Sequence, residues 1–143
     1  MIIFGTLKYT QLIAMKYFTP QELMKSATAK RLGINNWTDN SEIWENIHAL
    51  VDNIADPARE KFGGPLYVNS CYRSKETNIA VGGAPNSQHC RGQAIDLYCS
   101  DINRLWKIIG ELPYDQRILY RKKNFIHVSY RKDGNNRHQT IYA

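Results

Sequence analysis

Apolar residues follow two different rhythms along the chain, and the change falls near Gly63-Gly64-Pro65. Before it, spacings of three and four dominate. Ile43, Ile47, Leu50, Val51 and Ile54 stand at i, i+4, i+7, i+8 and i+11, the stripe of one buried helix face starting at Ser41. An earlier helix is signalled by Thr19-Pro20-Gln21-Glu22, with Thr19 as cap, Pro20 at the first helical position and Glu22 completing a capping box. It is predicted to run to about Leu32, with Gly33 closing it and residues 35–40 forming a loop. After Pro65 the rhythm turns to alternation. Leu66 to Tyr72 reads as a strand, Glu76 to Val81 as a helical turn closed by Gly82-Gly83, and residues 84–92 as a loop. Gln93 to Cys99 is a further strand, and Asp101 caps a helix carrying Ile102, Leu105, Trp106 and Ile109 that ends near Pro113. Gln116 to Arg121 and Phe125 to Tyr130 are two more strands, with His138 to Tyr142 a candidate last one. Helices first and antiparallel strands later make the class α+β. Residues 1–17 read either as a short strand or as a loosely attached N-terminal extension, which leaves 18–143 as a single domain.

Composition narrows the function classes only partly. A chain of 143 residues suits one domain, and 43% hydrophobic with 22% charged residues excludes disorder, collagen and coiled coil. Nineteen Lys and Arg against thirteen Asp and Glu give a net charge of +6. Such a surface favours anionic partners without choosing among nucleic acid, acidic wall polymer and lipid head groups. Arg117, Arg121, Lys122, Lys123, Arg131, Lys132 and Arg137 form the visible basic cluster. It reads as a solvated face or as an attraction to anionic cell wall, and no nucleic-acid-binding motif accompanies it. Three cysteines, Cys71, Cys90 and Cys99, make an odd count with no CxxC pair, so a disulfide framework or cysteine zinc knuckle is not expected. Cys71 and Cys99 are expected on strands as small buried hydrophobes, and Cys90 as a bystander to its neighbour His89 rather than an extra soft ligand. No apolar run approaches the roughly 18 residues of a membrane span. The N-terminus has no basic n-region, so the protein is expected in the cytoplasm at synthesis, as a monomer.

The chemistry concentrates in Ser87-Gln88-His89-Cys90-Arg91-Gly92-Gln93-Ala94-Ile95-Asp96. His89 lies in the loop, Asp96 on the strand after it, and Gly92 permits the sharp turn between them. Ala94 and Asp96 share a strand face, and the small Ala leaves room beside the carboxylate. An imidazole and a carboxylate can thus converge, a donor pair that suits zinc; a catalytic site adds a third ligand and keeps one position open. His127 is the candidate, since Ile126 and Val128 take the core side of its strand and turn His127 and Ser129 to the other. His48 and His138 read as ordinary surface histidines.

Ser87-x-His89-x-x-Gly92-x-Ala94-x-Asp96 resembles the SxHxxGxAxD signature of the peptidase M15 family: zinc D-Ala-D-Ala carboxypeptidases and dipeptidases, and phage endolysins that cut L-Ala-D-Glu bonds. Cys71-Tyr72-Arg73-Ser74 with Asn78 and Val81-Gly82-Gly83 resembles the family's upstream block, and Phe125-Ile126-His127-Val128-Ser129 its last-ligand strand. The likeness covers roughly residues 18–142 and is nearest to the small phage-associated M15A-type branch. It implies one zinc ion (Zn2+) held by His89, Asp96 and His127, with Arg73 beside the metal to bind a substrate carbonyl or steady an oxyanion. Ser87, with Ser129, would support the site or a substrate group from behind the ligands. It also implies the compact α+β fold shared with the zinc domain of Hedgehog proteins, and a peptidoglycan stem peptide as substrate.

The sequence departs from that pattern at the carboxylate that takes a proton during hydrolysis. In many relatives an acid stands three residues before the last His; here it is Asn124. In the closer branch a strand ends in Glu; here Asp115-Gln116-Arg117-Ile118-Leu119-Tyr120 puts Tyr120 there. If Lys122-Lys123 form a tight turn, Tyr120 pairs with Phe125 and Ile118 with His127, so Tyr120 faces the His127 side. Its phenol can hydrogen-bond a water or an oxyanion but, with a pKa near 10, is a poor base at pH 7; the alternative is a packing aromatic. Asp115 and Glu111 are the remaining carboxylates near the strand start, and Asp115 is expected too far down the strand to serve. Two readings follow, a zinc peptidase and a zinc-holding wall-peptide module with weak or no hydrolysis.

Overall fold

A computed structural model describes residues 15–143. Residues 1–14, most of the stretch expected as an extension, lie outside the described residues. Met15 is buried in the core, and Lys16 and Tyr17 reach the later helix through Asp56 and Glu60.

The first helical region differs from the expectation of one helix over 19–32. It is two short helices, α1 (Pro20–Met24) and α2 (Ala27–Leu32). Thr19 and Glu22 form the expected capping box, but Lys25 is extended at ψ 136° and Ser26 caps a new helix through Ala29 N. Gly33 then closes α2 in the left-handed region, as expected. The long amphipathic unit comprises α3 (Ser41–Leu50), a π-helical turn (Val51–Ala55) and α4 (Asp56–Phe62). Its stripe behaves as the spacing predicts, with Ile47, Leu50, Val51 and Ile54 fully buried. Each contributes about 1.5–3 kcal/mol of burial.

The remaining elements are β1 (Tyr67–Ser70), α5 (Lys75–Ala80), a 3-10 turn (Gln88–Arg91), β2 (Ala94–Tyr98), α6 (Ile102–Gly110), β3 (Gln116–Tyr120), β4 (Phe125–Ser129) and β5 (Gln139–Tyr142). The fold is α+β, as the pattern indicates. The strands make one sheet in the order β1-β2-β4-β3-β5, antiparallel except for β5, which runs parallel to β3. Alternation sends Val68, Ile95, Leu97, Leu119, Ile126 and Val128 into the core with the long helical unit and α6. The opposite face carries Asp96, His127, Ile118 and Tyr120. Cys71 and Cys99 are buried, though each sits one residue beyond a strand end.

Register decides what meets on that open face. Asp96 lies opposite His127, and His127 opposite Ile118. A bulge between Val68 and Ser70 brings Ser70, rather than Asn69, opposite Asp96. The row Ser70, Asp96, His127 and Ile118 thus crosses four strands. Tyr120 pairs with Phe125, so the β3–β4 hairpin has the register inferred from sequence.

Candidate metal centre and its cleft

His89 reaches this row from the 3-10 turn, whose position is tightly determined. Ser87 caps the turn by accepting from His89 N, and Asn46 Nδ2 donates to Arg91 O from α3. Gly92 closes the turn at φ 72°, and a Cβ there would stand 2.7 Å from Ile43 O and 2.8 Å from Ile47 Cγ1. The glycine therefore answers two demands, left-handed backbone and contact of the turn against α3.

The imidazole of His89 is buried and its Nδ1 lies 2.6 Å from Cys71 O. A carbonyl only accepts, so Nδ1 is the donor in this contact and Nε2 is the ring nitrogen turned toward Asp96. Nε2 is buried without a hydrogen bond among the described residues and lies 3.2 Å from Asp96 Oδ1. His127 Nδ1 lies 2.9 Å from the same carboxylate oxygen. One ligand atom from each of His89, Asp96 and His127 falls within 4.8 Å of the others. Two imidazole nitrogens converging on one carboxylate form an N, O, N donor set that suits zinc. The Cys71 carbonyl behind His89 is the outer partner that a metal-binding imidazole uses. Burial alone pushes the Asp96 carboxyl up. The facing charge of His89 and the hydrogen bond from His127 overcome it and hold the group below the usual carboxylate range.

Arg73 stands beside Asp96, Nη2 to Oδ2 at 3.6 Å. Its Nε donates to Ser70 Oγ and its Nη1 to Asn78 Oδ1, and Asn78 in turn donates to Ala84 O. A Cβ at Gly83 would collide with Asn78 Oδ1 and come within 3.0 Å of Arg73 Nη1. The Arg-Asn-Gly part of the upstream block is therefore one packed cradle for the guanidinium. Tyr120 faces the cleft with its ring stacked on Phe125 at 4.5 Å, and no hydrogen bond joins it to the three-residue cluster among the described residues. Ser129 is fully buried and donates to Asp115 rather than to the cluster. Cys90 lies outside the cleft wall and Asn124 occupies the hairpin turn at φ 58°, a backbone position that Asn tolerates. Glu111 ends α6, away from the cleft.

The cleft over this row holds about 930 Å³. Two of its residues are not visible from spacing. Asp115, which spacing places too far down its strand, lines the wall with its side chain fully buried, and Arg137 comes to it from the tail. Burial pushes the Asp115 carboxyl up, but hydrogen bonds from Arg137 and Gln88 outweigh this and hold it at about 2. Arg117, counted in the basic cluster, stacks on Trp106 and donates to Trp106 O, so it belongs to the fold rather than to a free basic face.

A peptidase M15 family model matches residues 16–129. The chain belongs to the peptidase M15 family. M15 peptidases are generally zinc-dependent, and the matched region contains His89, Asp96 and His127. No curated protein matches the chain. No helix among the described residues is long and apolar enough to cross a membrane.

Proposed function

We propose that this M15 domain is a zinc metallopeptidase that hydrolyses peptide bonds in peptidoglycan stem peptides, encoded by a phage or prophage. The observation that carries the metal reading is the buried, unbonded Nε2 of His89 aimed at Asp96 beside His127. His89, Asp96 and His127 would hold the ion. Zinc supplies Lewis-acid chemistry there, polarising a carbonyl and making water nucleophilic near neutral pH. Arg73, fixed by Ser70 and Asn78, offers its cleft-side N–H groups to a substrate carbonyl and to the charge that develops on it. Ser87 holds the His89 turn in place. Tyr120 stands diagonally from His127 on the same sheet face and would offer a hydroxyl to the cleft.

A second reading is favoured by the cleft's acids. Among the described residues its carboxylates are Asp96 and Asp115, and both are already engaged, so neither is free to take a proton. A zinc-holding module that binds wall peptide and hydrolyses it weakly fits that arrangement. Digestion of purified peptidoglycan by zinc-loaded protein, with mass analysis of the fragments, separates the two. Metal-dependent release of peptides or D-Ala supports the peptidase, and binding without release supports the module.

A further inference from the structure

The tail beyond residue 129 lies outside the family match, yet it builds part of the cleft. After β4 the chain turns back, Arg131 N donating to Asn136 Oδ1, and enters β5 beside β3. On the way it delivers Arg137 to Asp115. Asp115 is fully buried and accepts from Gln88 Nε2, Ser129 Oγ and the N, Nε and Nη2 of Arg137. Gln88 adjoins His89, and Ser129 is two residues past His127, so one carboxylate ties the tail to both elements that carry the imidazoles.

The guanidinium is held through Nε and Nη2. Both donate to Asp115, at 3.0 and 2.8 Å, and Nη2 also reaches Gln88 Oε1 at 3.5 Å, while Nη1 has no hydrogen bond among the described residues. The side chain is 49% exposed and lines the cleft. It is thus an arginine with its rotamer already fixed and an unspent donor on a cleft-lining side chain, which removes much of the ordering cost of binding an anion. The surroundings agree in sign. Arg73, Arg91, Lys123, Arg131 and Arg137 line the cleft against two carboxylates, Asp96 and Asp115, which pair with Arg73 and Arg137, while Arg131 pairs with Asp133.

We propose that Arg137, fixed by Asp115, binds a free carboxylate of the substrate and makes this chain select acidic over amidated peptides. The proposal rests on reading the cleft as a peptide site. The test pairs N-acetylated stem peptides with all carboxylates free and with each carboxylate amidated in turn. Affinity for metal-loaded protein is measured by calorimetry, and hydrolysis of the same samples is followed by mass spectrometry. Wild type is expected to prefer the acid over one of the amides by about 10–100-fold, the range of a charge-assisted hydrogen bond. Arg137→Gln is expected to abolish that preference. Because that change strands a buried carboxylate, the double variant Asp115→Asn/Arg137→Gln is measured too. It removes one charge of each sign, so a preference arising from the cleft's net field would survive it, and one arising from Arg137 would not. If neither variant folds, Arg137→Lys, which keeps the charge but loses the fork, is expected to lower the preference about tenfold. Equal affinity for acid and amides in wild type, no binding of any of them, or a preference retained in the folded variants overturns the proposal. Hydrolysis without acid preference removes the carboxylate site and leaves the peptidase reading standing; acid preference without hydrolysis does the reverse.

Discussion

Gly92→Ala separates two demands that a signature glycine places on this fold. At φ 72° any L side chain costs about 1–2 kcal/mol. The new Cβ would also stand 2.7 Å from the Ile43 carbonyl oxygen, 2.8 Å from Ile47 Cγ1 and 3.0 Å from Ile43 Cγ2. The first of these is backbone in the first turn of α3 and cannot rotate away. Overpacking of this kind costs about 1–3 kcal/mol more, for a total of about 2–5 kcal/mol. Gly33→Ala is the internal control, since Gly33 has φ 71° but a Cβ there would meet nothing within 4 Å. It carries the backbone cost alone. At about 3–5 °C per kcal/mol for a chain of this length, Gly92→Ala is expected to lower Tm by about 6–25 °C and Gly33→Ala by about 3–10 °C. Differential scanning calorimetry of both variants gives the comparison. Zinc affinity should fall in Gly92→Ala, because relief of the clash moves the turn that carries His89, and should hold in Gly33→Ala. Equal Tm losses in the two variants would refute the claim that the 3-10 turn is seated against α3.

Asp115 has its folded pKa lowered, so its stabilisation is present above its unfolded value of 3.8 and is lost as pH falls through about 2. Urea unfolding between pH 4 and pH 2 should therefore show a shallower decline in Asp115→Asn than in wild type, from a lower starting stability; parallel curves would contradict the assignment. Tyr120→Phe deletes only the hydroxyl and is expected to reduce turnover about 10–100-fold with zinc retained, whereas Tyr120→Glu, which places a carboxylate on the cleft face, should raise it. A neutral Phe and an inactive, stable Glu variant would show that Tyr120 is a partner for Phe125 and nothing more. Arg73→Lys keeps the charge but cannot reach Ser70, Asn78 and Asp96 together, so kcat should fall more than KM rises; the opposite split would assign Arg73 to substrate binding alone.

The parts of this fold legible in sequence are those set by local pattern. The stripe from Ile47 to Ile54 is governed by helical period, and the Tyr120–Phe125 register by the pleat and a short hairpin, so both can be read without tertiary information. His89, Asp96 and His127 converge because a glycine turn and one cross-strand pair place them, and each of those is a spacing. The break at Lys25 is hidden because the apolar spacing runs on past it, although Ser26 is a good helix cap. Distance along its strand argues against Asp115, a measure blind to Gln88 and Arg137 arriving from 27 and 22 residues away. β5's parallel pairing with β3 likewise depends on the tail's return path, which no local period encodes.

Zinc titration of wild type and Asp96→Ala, with metal content read on the purified proteins, tests the central claim most directly. One zinc per chain is predicted for wild type. Asp96→Ala should bind it more than about 100-fold less tightly, since the carboxylate facing both imidazoles is gone and the remaining donors are two. Wild type without a zinc site, or an Asp96→Ala variant with unchanged affinity, would contradict it.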